Sequence, residues 1–291
     1  MTAYKCVQLS SGFNMPMVGL GTFQITGVNR IQQVIDDAIR VGYRSIDTAE
    51  VYRNEEDIGF VLNQVLNKYN LTRGDIFLTT KLSPSSHGDP DKIINSVYTS
   101  LRALGTSYID LYLIHWPGAS RIPESASKNI ELRTTTWQTL VELKNKGVIR
   151  SIGVSNYNIR HLEQLLKNCG GVRPAVNQVE CHPHYRQAEL IDFCKKENIH
   201  VQAYSSLGTS TNVSLIKEPR VCQIAKELDV SPARVLLKWA LQQDISVIPK
   251  ASQTSHIEDN FNLDFKLSDE HMTRLSDLSQ KKYAWNPDNV I

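Results

Sequence analysis

Cysteine is scarce in this 291-residue sequence: there are five, they are scattered, and no two of them form a C-x-x-C pair. A disulfide framework or a cysteine-rich zinc site requires paired or closely spaced cysteines, so neither is expected. Scattered, unpaired cysteines are typical of reduced thiols in a cytosolic protein. We therefore expect a cytoplasmic location.

An excess of charge of either sign is also missing. The formal net charge is +2, and charged residues make up 21% of the chain. Nucleic-acid-binding faces carry clustered basic residues, and no such cluster is present, so small molecules are the expected partners. No apolar run is long enough to span a membrane, and no apolar stretch follows a basic start, so no membrane association is expected. The ordinary charge and the lack of an apolar repeat predict a monomer.

No linker-like run divides the chain, so residues 1–291 are expected to form a single domain. Short apolar segments alternate with amphipathic helical patterns eight times. The predicted strands are 18–22, 45–47, 76–82, 109–116, 150–154, 175–180, 201–204 and 246–249. Eight such units in roughly 260 residues predict the α/β class, and a closed (β/α)8 TIM barrel more than an open, doubly wound sheet.

Further elements are expected at both ends of this barrel. Residues 5–9 and 15–17 flank a turn-forming stretch and predict an N-terminal β-hairpin. After the eighth strand, the pattern predicts extra helices near the C-terminus, at 254–260 and 268–278.

Two local predictions concern the loops of the barrel. Residues 117–133 form the longest irregular stretch and are a candidate substrate loop, followed by a helix from Thr136 to Lys146. Asn54 and Glu55 are expected to cap and charge the start of the second helix.

Polar residues mark the carboxyl ends of the predicted strands, where a barrel of this kind carries its catalytic groups. Asp47 ends the second strand, Tyr52 lies on its loop, and Lys81 and His115 end the third and fourth. A buried Lys81 needs a carboxylate partner, and Asp47 is the nearest. The ammonium is expected to lower the pKa of Tyr52 toward neutrality, while a neutral His115 hydrogen-bonds a carbonyl oxygen. The four groups together would polarise and protonate a carbonyl.

A protonated carbonyl needs a nucleophile, and the sequence offers none: it has no G-x-S-x-G elbow and no cysteine beside a plausible base. Hydride from a nicotinamide would fill this role. Tyr204, at the end of the seventh strand, could stack on the nicotinamide ring. Ser155, Asn156 and Gln178 could bind its carboxamide.

Other interpretations of these residues exist. Gly19-Leu20-Gly21 resembles the start of a Rossmann fingerprint with Asp47 as the ribose ligand, but the third glycine position is Gln24 and no helix opens there. Cys181-His182-Pro183-His184 resembles a metal site, but it has no ligand partners at zinc spacing elsewhere, so no metal is expected. Asp47 as a turn residue, Tyr52 as a packing residue and a purely structural lysine-aspartate pair remain open.

Several motifs lie in the order typical of one family, from end to end of the chain. They are Gly42-Tyr43-Arg44-Ser45-Ile46-Asp47-Thr48-Ala49 with Tyr52, residues 111–117, Gly153-Val154-Ser155-Asn156, residues 177–183, and Ile248-Pro249-Lys250. On these motifs the chain resembles the aldo-keto reductases. The resemblance implies a single TIM barrel that reduces aldehydes and ketones with NADPH.

The resemblance also implies roles for individual residues. The catalytic tetrad is Asp47, Tyr52, Lys81 and His115. The nicotinamide contacts are Ser155, Asn156, Gln178 and Tyr204, and Thr22, Ser205 and Leu207 also line the cofactor. The apolar substrate walls are Phe23 and Trp116, and Trp285 would add to an aromatic-lined pocket.

One departure from the family pattern follows the eighth strand, where Ala251 and His256 stand in the places of the usual serine and arginine. Asp259 likewise replaces a glutamate. Lys250, Ser252, Gln253 and Asn260 remain to bind the 2′-phosphate of NADPH, together with His256. Because neutral histidine cannot replace the charged fork of arginine, we expect NADPH with a weakened preference over NADH.

Members of this family also include barrels that bind cofactor without turnover, as channel-associated subunits or lens proteins. The intact tetrad favours an enzyme over such a non-catalytic barrel.

Overall fold

The computed structural model describes residues 5–209 and 215–291. Strands β1 (Cys6–Gln8) and β2 (Asn14–Pro16) pair as an antiparallel hairpin, as predicted. From this hairpin, Leu9 and Met15 pack against Phe77, Leu111 and other apolar residues of the strands. The hairpin therefore closes the amino end of the fold.

Eight parallel strands follow among the described residues, each hydrogen-bonded to the next in chain order. They are β3 (Leu20–Gly21), β4 (Ser45–Asp47), β5 (Phe77–Leu82), β6 (Ile109–Ile114), β7 (Ile149–Ser155), β8 (Val176–Glu180), β9 (His200–Tyr204) and β10 (Ser246–Val247). The sheet closes on itself where Gly19 N donates to Val247 O (2.9 Å) and Gly21 N donates to Pro249 O (3.1 Å). A Cβ at Gly21 would lie 2.6 Å from Ile248 O, so this seam requires glycine. The predicted (β/α)8 barrel is confirmed.

In the part of the chain that the structure describes, ten helices cover the strands. They are α1 (Val28–Val41), α2 (Glu55–Lys68), α3 (Pro90–Ala103), α4 (Lys128–Asn145), α5 (Ile159–Asn168), α6 (Ala188–Lys196), α7 (Pro219–Glu227), α8 (Pro232–Leu241), α9 (Thr254–Phe261) and α10 (Asp269–Ser276). Each buries one face; in α1 it consists of Ile31, Val34, Ile35, Ala38 and Ile39. Within residues 5–209 and 215–291, no helix is long and apolar enough to cross a membrane.

Helix α4 begins at Lys128, well before the predicted Thr136. In the first two turns of this helix, polar side chains point inward and are buried. Buried Asn129 donates to Pro123 O (2.9 Å), and buried Arg133 donates to Pro117 O (3.0 Å). The irregular stretch after β6 is therefore shorter than the predicted 117–133, and helix α4 holds it in place through these bonds.

The predicted side-chain cap of α2 by Asn54 is wrong. Asn54 is buried, and its Oδ1 accepts a hydrogen bond from Thr48 Oγ1 (2.6 Å). Its Nδ2 donates to the backbone oxygens of Thr22 and Ile25, both at 3.0 Å. Asn54 thus joins the loops that follow β3 and β4, instead of serving its own helix.

Helix α2 packs closely against the end of helix α3 at Gly59, and a substitution there tests this close packing. A Cβ at Gly59 would lie 2.2 Å from Ala103 O. Gly59→Ala should lower the free energy of unfolding by about 2–3 kcal/mol, because this clash exceeds the gain of about 1 kcal/mol in helix propensity. Gly74→Ala meets only an ordinary contact at 3.5 Å and is the control. Equal urea midpoints for the two variants would contradict this packing.

Two buried histidines, His87 and His161, and the half-buried His200 make stability depend on pH. Burial lowers the pKa of His87, His161 and His200 to about 4, below the ordinary value of 6.5. The unfolded chain therefore binds protons first as the pH falls. The resulting contribution to the free energy of unfolding is fully present above pH 6.5 and is lost as the pH falls from 6.5 to 4. By pH 5 the loss is on the order of 1–2 kcal/mol for each histidine. Urea unfolding at pH 7 and 5 should show the loss, and His200→Gln should reduce it. An unchanged slope in that variant would refute the assignment to His200.

Candidate active site

The centre of the site is a buried ion pair at the carboxyl ends of β4 and β5. Lys81 Nζ donates to Asp47 Oδ1 at 2.6 Å, and the Lys81 side chain is 0% exposed. Nζ also donates to Thr48 O (2.8 Å) and to Tyr52 Oη (3.4 Å). Burial opposes the charge on Lys81, but Asp47 and Tyr52 outweigh it and raise the pKa of Lys81. Lys81 is therefore an ammonium in contact with a phenol.

Tyr52 lies at the end of a 3₁₀ turn, Glu50–Tyr52, that Asn54 secures. The expected fall of its pKa is wrong in direction. Burial raises the pKa of Tyr52, and the charge of Lys81 offsets only part of the rise. The phenol consequently keeps its proton at neutral pH, where it is a donor.

His115 follows β6 and is 8% exposed. Its ring stands edge-on to the Tyr52 ring, with the centroids 5.8 Å apart. Burial, followed by the charge of Lys81, lowers the pKa of His115 to about 3. The imidazole is therefore neutral, as expected. Within the described residues, its Nδ1 has no hydrogen-bond partner.

An amide from the opposite side of the barrel donates a hydrogen bond to the second oxygen of the Asp47 carboxylate. Gln178, on β8, donates from Nε2 to Asp47 Oδ2 (2.7 Å) and to Gln202 Oε1 (2.7 Å). Strands β4 and β8 are four strands apart in the closed sheet, so this contact crosses the barrel interior. Sequence analysis missed Gln202, although it is the register partner of Gln178 on β9.

The other predicted nicotinamide contacts lie beside Gln178. Tyr204 Oη donates to Asn156 Oδ1 (2.6 Å), and Asn156 Nδ2 donates to His115 O (3.0 Å). Ser155 Oγ donates to Gln178 O (2.7 Å). Asn156 has φ 65°, so the chain turns sharply where β7 ends. One layer of side chains therefore joins β6, β7, β8 and β9 at the same edge.

These residues offer a nicotinamide two features, an acceptor for the NH₂ group of its carboxamide and a flat aromatic face for its ring. Both amide hydrogens of Gln178 are already donated, so its Oε1 remains as an acceptor for the NH₂ group. The aromatic ring of Tyr204 supplies a flat face at the same strand end.

The other residues predicted to bind the cofactor follow the ends of β3, β9 and β10. Thr22 Oγ1 donates to Asp47 O (2.9 Å), Ser205 has φ 51°, and Leu207 packs on the core. Four of the residues predicted to bind the 2′-phosphate lie around the start of α9: Lys250, Gln253 and His256 are exposed, and Ser252 is half-buried. Asn260 is buried in the last turn of the same helix. A helix N-terminus beside a lysine suits an anion.

Aromatic rings form the outer wall of the site. The ring centroids of Phe23 and Tyr52 are 5.0 Å apart, and those of Trp116 and Trp285 are also 5.0 Å apart. His115 stacks beside Trp116 at 6.0 Å. The three predicted substrate residues thus lie next to the tetrad, although Phe23 and Trp285 are distant in sequence.

Trp285 belongs to a tail segment, residues 282–290, that Glu180 anchors. The Glu180 carboxylate is fully buried and accepts from Lys282 Nζ (2.9 Å) and from the backbone N–H groups of Tyr283 (2.6 Å) and Ala284 (2.9 Å). Burial opposes its charge, but hydrogen bonds from His182 and Lys282 outweigh this and lower the pKa of Glu180 to about 2. Sequence analysis missed this anchor, although Glu180 lies two residues after Gln178 on a strand and so shares its face.

The residues Cys181 to His184 do not assemble a metal site. The Cys181 thiol donates to Arg186 O (3.7 Å), and His182 contacts Glu180. Across the described ranges, no three His, Cys, Asp or Glu residues are grouped to hold a metal ion.

Known proteins match this chain along nearly its whole length. The sequence model of the Aldo/keto reductase family matches residues 17–280. The chain is 38% identical over 290 residues to 9,11-endoperoxide prostaglandin H2 reductase of Trypanosoma cruzi, covering 99% of this chain and 96% of the relative. It is 37% identical to glyoxal reductase of Bacillus subtilis, covering 98% and 97%.

A solved structure agrees with these sequence matches. The aldose reductase from Schistosoma japonicum superposes with a TM-score of 0.86 at 33% identity, covering 97% of this chain and 94% of that one. The fold, the strand-end side chains and the relatives lead to one assignment: the chain belongs to the aldo/keto reductase family, oxidoreductases that reduce carbonyl compounds with NADP(H).

Proposed function

We propose that Tyr52 is the general acid of this reductase, and that Asp47, Lys81 and His115 prepare it. The observation that carries this proposal is the continuous contact from Asp47 through Lys81 to the Tyr52 oxygen, buried beside a neutral imidazole. A protonated phenol donates a hydrogen bond to a carbonyl oxygen and then its proton. The Lys81 ammonium stabilises the phenolate that remains, and Asp47 holds the ammonium in place.

His115 has a different task in this proposal. A neutral imidazole donates a hydrogen bond without adding charge, so it fixes the angle of the carbonyl oxygen beside Tyr52. A bound nicotinamide supplies the hydride for the carbonyl carbon. Ser155, Asn156 and Gln178 bind its carboxamide, Tyr204 stacks on its ring, and Thr22, Ser205 and Leu207 line the rest of the cofactor.

The substrates we infer are small or medium-sized aldehydes and ketones that enter between Phe23, Trp116 and Trp285. The aromatic rings at this entrance favour uncharged, apolar groups next to the carbonyl. The relatives named as reductases of glyoxal and of a prostaglandin endoperoxide support a reductase of small molecules.

The proposed preference between NADPH and NADH follows from the residues just before and within α9. Lys250, Ser252, Gln253 and Asn260 are suited to an adenosine 2′-phosphate, whereas His256 lacks the planar charged fork of arginine. We infer that NADPH is preferred over NADH only weakly, and that both support turnover.

The setting of the reaction is also part of the proposal. We infer that residues 1–291 act as one domain, since the proposed site residues run from Thr22 to Trp285, and that the protein works as a cytoplasmic monomer. The near-neutral net charge and the scattered cysteines support this setting. No observation favours a non-catalytic barrel.

Replacement of the proposed acid is the first test. Tyr52→Phe should lower kcat for reduction of 4-nitrobenzaldehyde by about 10³-fold, since it removes the proton donor. The Kd for NADPH should stay within about threefold, because the cofactor residues are unchanged. NADPH absorbance measures turnover and NADPH fluorescence measures binding. Tyr98→Phe, on the outside of α3, is the matched control. Near-native turnover of Tyr52→Phe would refute the role.

A charge at position 256 tests the cofactor preference. His256→Arg should raise the ratio of kcat/KM for NADPH to that for NADH by about tenfold or more, since a charge-assisted bond to phosphate is worth about 1.5–3 kcal/mol. Ser255→Arg adds the same charge on the neighbouring exposed position and should change the ratio little. A wild-type ratio that already matches the His256→Arg variant would overturn the weakened preference.

A further inference from the structure

Gln202 lies inside the barrel, 1% exposed, and within the described residues its side chain bonds to Gln178 and Met15 instead of the proposed tetrad. Its Oε1 accepts from Gln178 Nε2 at 2.7 Å, and its Nε2 contacts Met15 Sδ at 3.8 Å. It therefore stands between the apolar plug of the hairpin and the polar layer of the active site. A polar side chain at this depth requires a partner, and Gln178 is that partner.

The orientation of the two amides follows from the charge on Asp47. An aspartate in an ion pair accepts hydrogen bonds and donates none, so Gln178 must turn its NH₂ group toward Asp47 Oδ2. The second hydrogen of that NH₂ group then needs an acceptor of its own. Gln202 Oε1 provides one, and two acceptors on one planar amide fix its plane.

We propose that Gln202 is a positioning residue for cofactor binding: it holds the Gln178 amide so that Gln178 Oε1 is the acceptor for the nicotinamide carboxamide. This inference rests on the proposed function, because it takes Gln178 as a nicotinamide contact. Without Gln202 Oε1, one buried N–H of Gln178 loses its acceptor. An unpaired buried N–H group is unfavourable, so the amide rotates to find another partner.

The effect should be confined to the nicotinamide end of the cofactor, and this separates positioning from a general loss of structure. NADP⁺ contains the carboxamide, whereas 2′-phospho-ADP-ribose contains the rest of the cofactor without it. A variant that only loosens the barrel weakens both ligands. A variant that misplaces Gln178 weakens NADP⁺ alone.

Calorimetric titration of both ligands tests the proposal. Gln202→Met keeps the length of the side chain and removes the acceptor; it should raise the Kd for NADP⁺ by about tenfold and change that for 2′-phospho-ADP-ribose by less than twofold. Gln202→Leu, a second variant without an acceptor, carries the same expectation if the first fails to fold. Gln202→Glu keeps an oxygen at the same place and should hold both Kd values within about threefold of wild type.

Met15→Leu is the matched control, because it removes the sulfur contact of Gln202 and leaves Gln178 untouched; both Kd values should stay at the wild-type level. Thermal unfolding of each variant verifies that it is folded. Equal weakening of both ligands, or unchanged NADP⁺ binding in a folded Gln202→Met variant, overturns the positioning role. If the wild-type chain itself binds NADP⁺ no differently from 2′-phospho-ADP-ribose, the nicotinamide site fails and the proposed function fails with it.

Discussion

The buried ion pair between Asp47 and Lys81 is the interaction on which the carboxyl end of the barrel depends. A buried carboxylate is tolerated only when its oxygens are hydrogen-bonded. Asp47 meets this condition with Lys81 on one oxygen and Gln178 on the other, so strands on opposite sides of the barrel are tied to one group. Lys81 in turn contacts Thr48 O and Tyr52 Oη, which fixes the loop between them. The same hydrogen bonds that stabilise the buried charges also bring the proposed catalytic side chains together.

Much of the fold could be predicted because its strands are short apolar runs and its helices show one apolar face. The joint placement of Asp47, Lys81 and His115 followed from the rule that parallel strands present their carboxyl ends at one edge. The first turns of α4 could not be predicted, because their inward face is polar. Asn129 and Arg133 are buried by bonding loop carbonyls, and an apolar periodicity counts such residues as exposed.

The electrostatics and the cross-barrel contacts of the site were less accessible from the sequence. The sequence places a lysine near Tyr52, but it does not say how completely water is excluded, and burial reverses the expected direction of the pKa. The contact of Gln178 with Asp47 depends on the diameter of the closed barrel and on the register of its strands, which no local pattern encodes. For the same reason the sequence predicts that Asn54 caps a helix, whereas in the structure Asn54 bridges two loops.

The tail segment has its own attachments. Glu180 holds one end of it, and Arg160 and His161 on α5 donate to or contact Val290 O at the other. It contributes Trp285 to the aromatic wall beside Trp116 and no member of the predicted tetrad. One part of the aromatic wall is therefore encoded apart from the tetrad, whereas Trp116 directly follows His115. After a gene duplication, drift in this one short stretch can reshape that part of the wall while Asp47, Tyr52, Lys81 and His115 are inherited unchanged.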